Sequence, residues 1–221
     1  MSTQATFKIS VLIVDDHPPL RAGVRAILEQ TSDIYVAGEA ENGDEAERLL
    51  DELRPRIVLL DLKMPGFSPS AFEKWARENY PETITLVLTA HDRDAYLASM
   101  MNAGAAGYLD KSERAENLIT AIRSAAYGET LFTQEQMQRV LEWNKDKGKK
   151  WGSLTKRERQ VLTLIGEGLG NKSISRRLSI SIKTTEQYVS SILKKLNTHT
   201  RQEASTWLVE NVPEEIRRNP E

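Results

Sequence analysis

Short apolar runs alternate with segments of helical period along the first 127 residues. Val11-Leu12-Ile13-Val14, Ile34-Tyr35-Val36-Ala37, Ile57-Val58-Leu59-Leu60 and Ile84-Thr85-Leu86-Val87-Leu88 are short and rich in β-branched residues. Near-continuous apolar runs of this length suit parallel strands covered on both faces. Ala106-Gly107-Tyr108-Leu109 reads as a fifth, weaker strand. Amphipathic stretches near 19–31, 43–54, 70–80, 92–103 and 114–127 fall between and after them. Five strand–helix pairs predict one parallel sheet with helices on both faces. In such sheets ligands sit outside the carboxyl ends of the strands.

Past residue 127 the strand pattern stops. Glu135 to Trp143 has helical character, and Asn144-Lys145-Asp146-Lys147-Gly148-Lys149-Lys150 reads as a flexible polar linker. From Leu154 the period is helical throughout. Thr155-Lys156-Arg157-Glu158 has the form of a capping box, in which the Thr hydroxyl takes a helix-end amide and the Glu reaches back. Val161, Leu162, Leu164 and Ile165 supply its apolar face, and Gly166 to Gly170 end it. A short helix follows over 171–178. Ser181 can cap a third helix through Leu196, with Val189, Ile192, Leu193 and Leu196 on its buried face. Thr200-Arg201-Gln202-Glu203 is a second candidate capping box, opening a last helix through Val209.

Charge divides the chain at much the same place. Residues 1–130 carry 13 Lys and Arg against 21 Asp and Glu, net -8; residues 131–221 carry 17 against 11, net +6. This asymmetry points the second half toward a polyanion. A hydrophobic content of 39% is ordinary for a globular chain, and no apolar run is long enough to cross a bilayer. With no cysteine, disulfides and thiolate metal sites are excluded. A cytoplasmic protein without a membrane partner is expected.

The predicted strand ends carry the chemistry. The first ends in Asp15-Asp16, the third in Asp61 and the fourth in Thr89, while Lys111 follows the fifth. Three carboxylates, a hydroxyl and an ammonium would converge at one sheet edge. Clustered carboxylates repel unless a cation shares them, and hard oxygen ligands suit Mg2+. An aspartate can also act as a nucleophile and carry an acyl phosphate. A lysine and a hydroxyl are then natural partners for phosphoryl oxygens.

Asp15-Asp16-His17-Pro18, Asp61 with Met64-Pro65-Gly66, Thr89-Ala90, and Ala103-Gly104-Ala105 through Gly107-Tyr108-Leu109 to Lys111 resemble the receiver domain of two-component response regulators. The resemblance covers about 8–127. It implies a flavodoxin-like, doubly wound (βα)5 fold with strand order 2-1-3-4-5, and Asp61 as phosphoacceptor. It also implies Mg2+ held by Asp16, Asp61 and the Lys63 carbonyl, with Asp15 acting largely through water. Lys111 would pair with the phosphoryl group, Thr89 would move to hydrogen-bond it, and Tyr108 would turn inward. Lys63 and His91 fall where family members tune dephosphorylation. Phe67-Ser68-Pro69-Ser70 departs from the commoner Asp-Gly turn and leaves the start of the third helix open.

In the second half, Leu154-Thr155 with Glu158-Arg159, Glu167-Gly168-Leu169, Asn171-Lys172, Arg177-Leu178, Lys183-Thr184 and Leu193-Lys194-Lys195-Leu196 resemble the LuxR-type helix-turn-helix over about 153–210. The resemblance implies a four-helix all-α domain whose 182–196 helix enters the major groove, as in the NarL/FixJ class. Lys172, Lys183, Lys194 and Lys195 are candidate phosphate contacts. Thr184, Glu186, Gln187 and Ser190 are candidates for reading the site, with Gln187 suited to adenine and Glu186 to cytosine. Thr185-Glu186-Gln187-Tyr188 departs from the usual family residues, so no operator sequence is carried over. The expected layout is 1–127 receiver, 128–152 linker and 153–221 DNA-binding domain with a polar tail. The expected protein is no enzyme but a transcription factor that dimerises on double-stranded DNA and answers a sensor histidine kinase. A receiver that gates DNA binding without phosphorylation is the competing reading, and the complete acidic set argues against it.

Overall fold

The computed structural model describes residues 8–212 and 216–217. The chain divides into two compact units, Met1–Met137 and Gln138–Glu221. Most of the expected polar C-terminal tail, from 213 on, falls outside the described residues apart from 216–217.

In the first unit the apolar runs become β1 (Ile9–Val14), β2 (Ile34–Ala40), β3 (Ile57–Leu60), β4 (Ile84–Thr89) and β5 (Gly107–Asp110). All pairings are parallel and the order is β2-β1-β3-β4-β5, as the resemblance implied. β1 and β3 are buried nearly end to end because helices cover both faces. Those helices are α1 (Pro18–Leu28), α2 (Gly43–Leu53), α3 (Pro69–Asn79), α4 (Asp94–Ala103) and α5 (Ala115–Ala126). Val11, Ile13, Leu59 and Leu86 pack with Leu28, Ile122 and Ala125 in one core. At roughly 25 cal/mol per Å2 of apolar area removed from water, each such Val, Leu or Ile side chain contributes about 1.5–3 kcal/mol.

The unusual segment after β3 finds its reason here. Pro69 sits in the first turn of α3, where its missing N–H costs nothing. Phe67 lies over Gly43 so closely that a Cβ there would meet its ring at 2.4 Å. The same ring lies 5.4 Å from Phe72. An aromatic lid thus takes the place of the Asp-Gly turn without touching the acidic residues' positions.

The second unit holds α8 (Lys156–Gly166), α9 (Asn171–Arg177), α10 (Ile182–Leu196) and α11 (Arg201–Asn211). Val161, Leu162, Ile174, Ile192, Leu196, Ala204 and Leu208 form its core, with Val189 and Leu193 packed at the margin. The Thr155–Glu158 capping box is present in full. Its counterpart at α11 is half formed. Thr200 accepts from the Glu203 amide at 3.1 Å, but Glu203 takes the His199 amide at 2.8 Å instead of that of Thr200.

One expectation fails outright. Asn144 to Lys150 is helical, not a flexible linker. α6 (Gln134–Trp143) runs into a π-helical turn (Asn144–Gly148) and then α7 (Lys149–Ser153). No proline interrupts the stretch, and Asp146 pairs with Lys150 one turn on at 3.0 Å. Trp151 anchors its end in the core of the second unit, beneath the Arg159 guanidinium.

Candidate functional site

The parallel register brings the strand ends together. β1 delivers Asp15 and Asp16, β3 delivers Asp61, β4 ends in Thr89, and the Lys111 amide donates to the Thr89 carbonyl at 3.0 Å. Asp15, Asp61 and Thr89 are each at most 3% exposed. The Lys111 ammonium lies 2.7 Å from Asp15 Oδ2 and 3.0 Å from Asp61 Oδ2. One ammonium therefore serves two buried carboxylates. Asp61 Oδ1 is buried and has no hydrogen-bond partner.

Asp16 stands more open beside them, its side chain 26% exposed. Asp15, Asp16 and His17 present ligand atoms within 4.8 Å of one another. His17 was not anticipated as a member of the site. Its amide donates to Asp15 Oδ1 at 2.8 Å, and its Nδ1 lies 2.9 Å from Asp16 Oδ1. Arg21 was also missed; its guanidinium donates to the Asp15 carbonyl at 2.5 Å and fixes the loop. Position in a motif revealed His17 to the eye but gave it no role, and nothing in sequence links Arg21 to Asp15.

This donor set fits a hard cation: carboxylate oxygens, one of them orphaned, beside an excess of negative charge over positive. Lys63 is exposed in the turn after β3. Thr89 Oγ1 accepts from the His91 amide at 3.2 Å, and the Tyr108 hydroxyl donates to the His91 carbonyl at 2.6 Å. Tyr108 is only 5% exposed, so its ring already points inward.

The second unit presents a different surface. On α10, Lys183, Glu186, Gln187, Ser190 and Lys194 are exposed, and Lys172 is exposed on α9. Thr184 is half-buried and shares a 2.8 Å hydrogen bond with the Ser181 hydroxyl at the helix start. Thr185 is buried and bonds back to the Ser181 carbonyl at 3.1 Å. Lys195 is set apart from the other lysines, with its ammonium 2.7 Å from the buried carboxylate of Glu158.

A parallel five-stranded sheet with an acidic pocket at its carboxyl edge, joined to a helical unit with a basic helix, defines a switchable DNA-binding regulator. Comparison with known proteins makes the class specific. Residues 11–123 match the family model "Response regulator receiver domain", and residues 152–208 match "Bacterial regulatory proteins, luxR family". The nitrate/nitrite response regulator protein NarL of Escherichia coli K12 is 35% identical over 203 residues, spanning 90% of this chain and 94% of that protein. The transcriptional regulatory protein LiaR of Bacillus subtilis is 37% identical over 206 residues, spanning 92% and 98%. A solved structure of RcsB from Salmonella enterica serovar Typhimurium, bound to promoter rprA in the presence of the phosphomimetic BeF3-, matches with TM-score 0.58 and 27% identity over 91% of this chain and 98% of that one. The chain belongs to the NarL/LuxR family of two-component response regulators, with a receiver domain followed by a DNA-binding domain. That family consists of transcription regulators, and among the described residues no helix is long and apolar enough to cross a membrane.

Proposed function

We propose that Asp61 accepts a phosphoryl group from the phosphohistidine of a sensor histidine kinase, and that this modification controls binding of α10 to double-stranded DNA by a homodimer. The observation that carries the reading is Asp61 itself, buried with one carboxylate oxygen unpartnered beside Asp15 and Lys111. That oxygen attacks phosphorus, an acyl phosphate forms, and the kinase imidazole leaves with its bonding electrons. Lys111 moves from the carboxylates to the new phosphoryl oxygens, and the Thr89 hydroxyl donates to another. Asp16, Asp61 and the Lys63 carbonyl would hold Mg2+, with Asp15 acting largely through water, and the cation would offset negative charge gathered during transfer. Tyr108 and His91 carry the change of Thr89 outward, since the His91 amide donates to the Thr89 hydroxyl while the His91 carbonyl accepts from the Tyr108 hydroxyl.

In the second unit Lys172, Lys183 and Lys194 contact phosphates while Gln187, Glu186, Ser190 and Thr184 face base edges. We take 1–127 as the receiver, 128–152 as the connector and 153–221 as the DNA-binding domain, working in the cytoplasm. The RcsB structure, bound to a promoter with a phosphomimetic, supports this pairing of switch and DNA. Incubation with acetyl phosphate and Mg2+ tests it. Intact-mass measurement should show one added phosphoryl group in the wild type and none in Asp61→Asn. Undiminished phosphorylation of Asp61→Asn would refute the assignment.

A further inference from the structure

Glu158 does more than close a capping box. It is 4% exposed and every oxygen is used. Oε2 accepts from the Thr155 amide at 2.7 Å and from the Lys195 ammonium at 2.7 Å, while Oε1 accepts from the Ser191 hydroxyl at 2.6 Å. Thr155 begins α8, whereas Ser191 and Lys195 lie one turn apart on α10. A single carboxylate therefore ties the start of one helix to two successive turns of the other. Burial by itself would raise this carboxyl, but the Lys195, Ser191 and Thr155 donors outweigh it and lower it to about 2.

The angular positions on α10 give this tie a consequence. At about 100° per residue, Lys183, Gln187, Ser190 and Lys194 fall within an arc of about 60°. All four are exposed. Lys195 lies about 110° round from the middle of that arc, on the side that meets α8. Ile192 and Leu196 face the core further on.

We propose that Glu158 is a positioning residue of the DNA-binding helix, fixing the rotation of α10 about its axis and withdrawing Lys195 from the set of phosphate contacts. The inference rests on the assignment of α10 to DNA. It separates two adjacent lysines that sequence treats alike: Lys194 meets DNA and Lys195 meets Glu158.

Counterion release distinguishes the two roles. Each phosphate contact adds about 0.9 to the slope of log K against log salt. The test measures that slope by fluorescence anisotropy for the full chain on a 30-base-pair duplex of random sequence. Lys194→Gln should flatten the slope by about 0.9, and Lys195→Gln, which keeps a donor for Glu158, should leave it unchanged. Glu158→Gln retains an acceptor for the capping amide but frees the ammonium; it should steepen the slope by about 0.9, an increase lost in the Glu158→Gln/Lys195→Gln double variant. A lost cap alone would not raise the slope. Equal flattening by Lys194→Gln and Lys195→Gln overturns the inference while leaving α10 on DNA. If Lys183→Gln and Lys194→Gln also leave the slope unchanged, α10 does not face DNA and the functional reading falls with it. Should Glu158→Gln fail to fold, Lys195→Gln decides the question by itself.

Discussion

The receiver pocket and the helical unit each bury a carboxylate with a lysine ammonium 2.7 Å away, at Asp15–Lys111 and at Glu158–Lys195. Their surroundings differ. Glu158 has one ammonium to itself and a donor on each oxygen. In the pocket one ammonium is divided between Asp15 and Asp61, Asp16 adds a third carboxylate, and Asp61 Oδ1 has no partner. A buried ion pair with every lone pair satisfied is a structural fastening. One with charge left over is poised for a ligand, because a cation or phosphoryl group can complete what the protein leaves open.

Glu73 on α3 shows that an orphan oxygen alone does not make a site. It is 4% exposed, its Oε2 is unpartnered, and burial pushes it up to about 7 against the pull of the Thr85 hydroxyl and Arg77. Its neighbours are the Thr85 hydroxyl and the Arg77 guanidinium, and burial outweighs both. Burial favours its neutral form, which needs no counterion, below about pH 7.

The largest effect expected is loss of chemistry at the under-satisfied pair. Asp61→Asn should abolish acetyl phosphate labelling. Asp16→Ala should leave Asp61 intact yet sharply raise the Mg2+ concentration needed for half-maximal labelling, read by intact mass across an Mg2+ series. Labelling of Asp16→Ala at wild-type Mg2+ would break the comparison, since the pocket's surplus charge would then serve nothing.

Next comes the fully satisfied pair. Glu158→Ala removes a buried partner and both of its helix ties, and should destabilise the second unit by about 3 kcal/mol, the lower end for such pairs because Lys195 is partly exposed. Hydrogen exchange by mass spectrometry should place the loss in α8 and α10 while β1 and β3 keep their protection. The pH dependence follows from the lowered carboxyl. Its stabilisation is full above the unfolded value of 4.5 and disappears as pH falls from there toward about 2.

Glu73 should behave in the opposite sense. Its carboxyl is raised from 4.5 to about 7, so the folded state holds a proton that the unfolded chain releases between those values. Stability is greatest below about 4.5 and falls as pH rises through 7. Glu73→Gln should remove that dependence and add about 2 kcal/mol at pH 8, somewhat under the full figure for a shift of this size because the amide is not ideally paired either. Urea titrations at pH 5 and pH 8 measure it, and an unchanged difference between the two would show that Glu73 is ionised with a hidden partner.

The smallest effect sharpens the comparison most directly. Asp61→Asn also relieves repulsion within the pocket, and in metal-free buffer it should raise the receiver's stability by about 1 kcal/mol. Removing a charge thus stabilises one lysine–carboxylate site and destabilises the other. A fall in melting temperature for Asp61→Asn without metal would mean that Lys111 satisfies both carboxylates after all.

Several features were legible in the chain itself. Apolar runs such as Val11 to Val14 and Ile57 to Leu60 could only be buried strands, and five strand–helix repeats permit few arrangements other than a parallel doubly wound sheet. The acidic residues were legible because strand ends share an edge, so strand order alone brings Asp15, Asp61 and Lys111 together. Thr155 and Glu158 announced a helix start by local spacing. The stretch Asn144 to Lys150 misled because its polar composition resembles a linker, while its helical state draws on the Asp146–Lys150 pair and the burial of Trp151.

What the sequence determined by itself was local: period, caps, turn residues and the order in which chemical groups leave the strands. What only the tertiary structure decided was pairing between residues distant in the chain. Lys195 reaches across 37 positions to Glu158, and Lys111 across 96 to Asp15 and 50 to Asp61. Periodicity reports which face of a helix is buried, because burial repeats with the helix itself. It carries no record of which charge on that face meets which, since an ion pair is a single contact fixed by how two elements pack. Lys194 and Lys195 therefore look alike in sequence, and only the packing of α10 against α8 gives them different work.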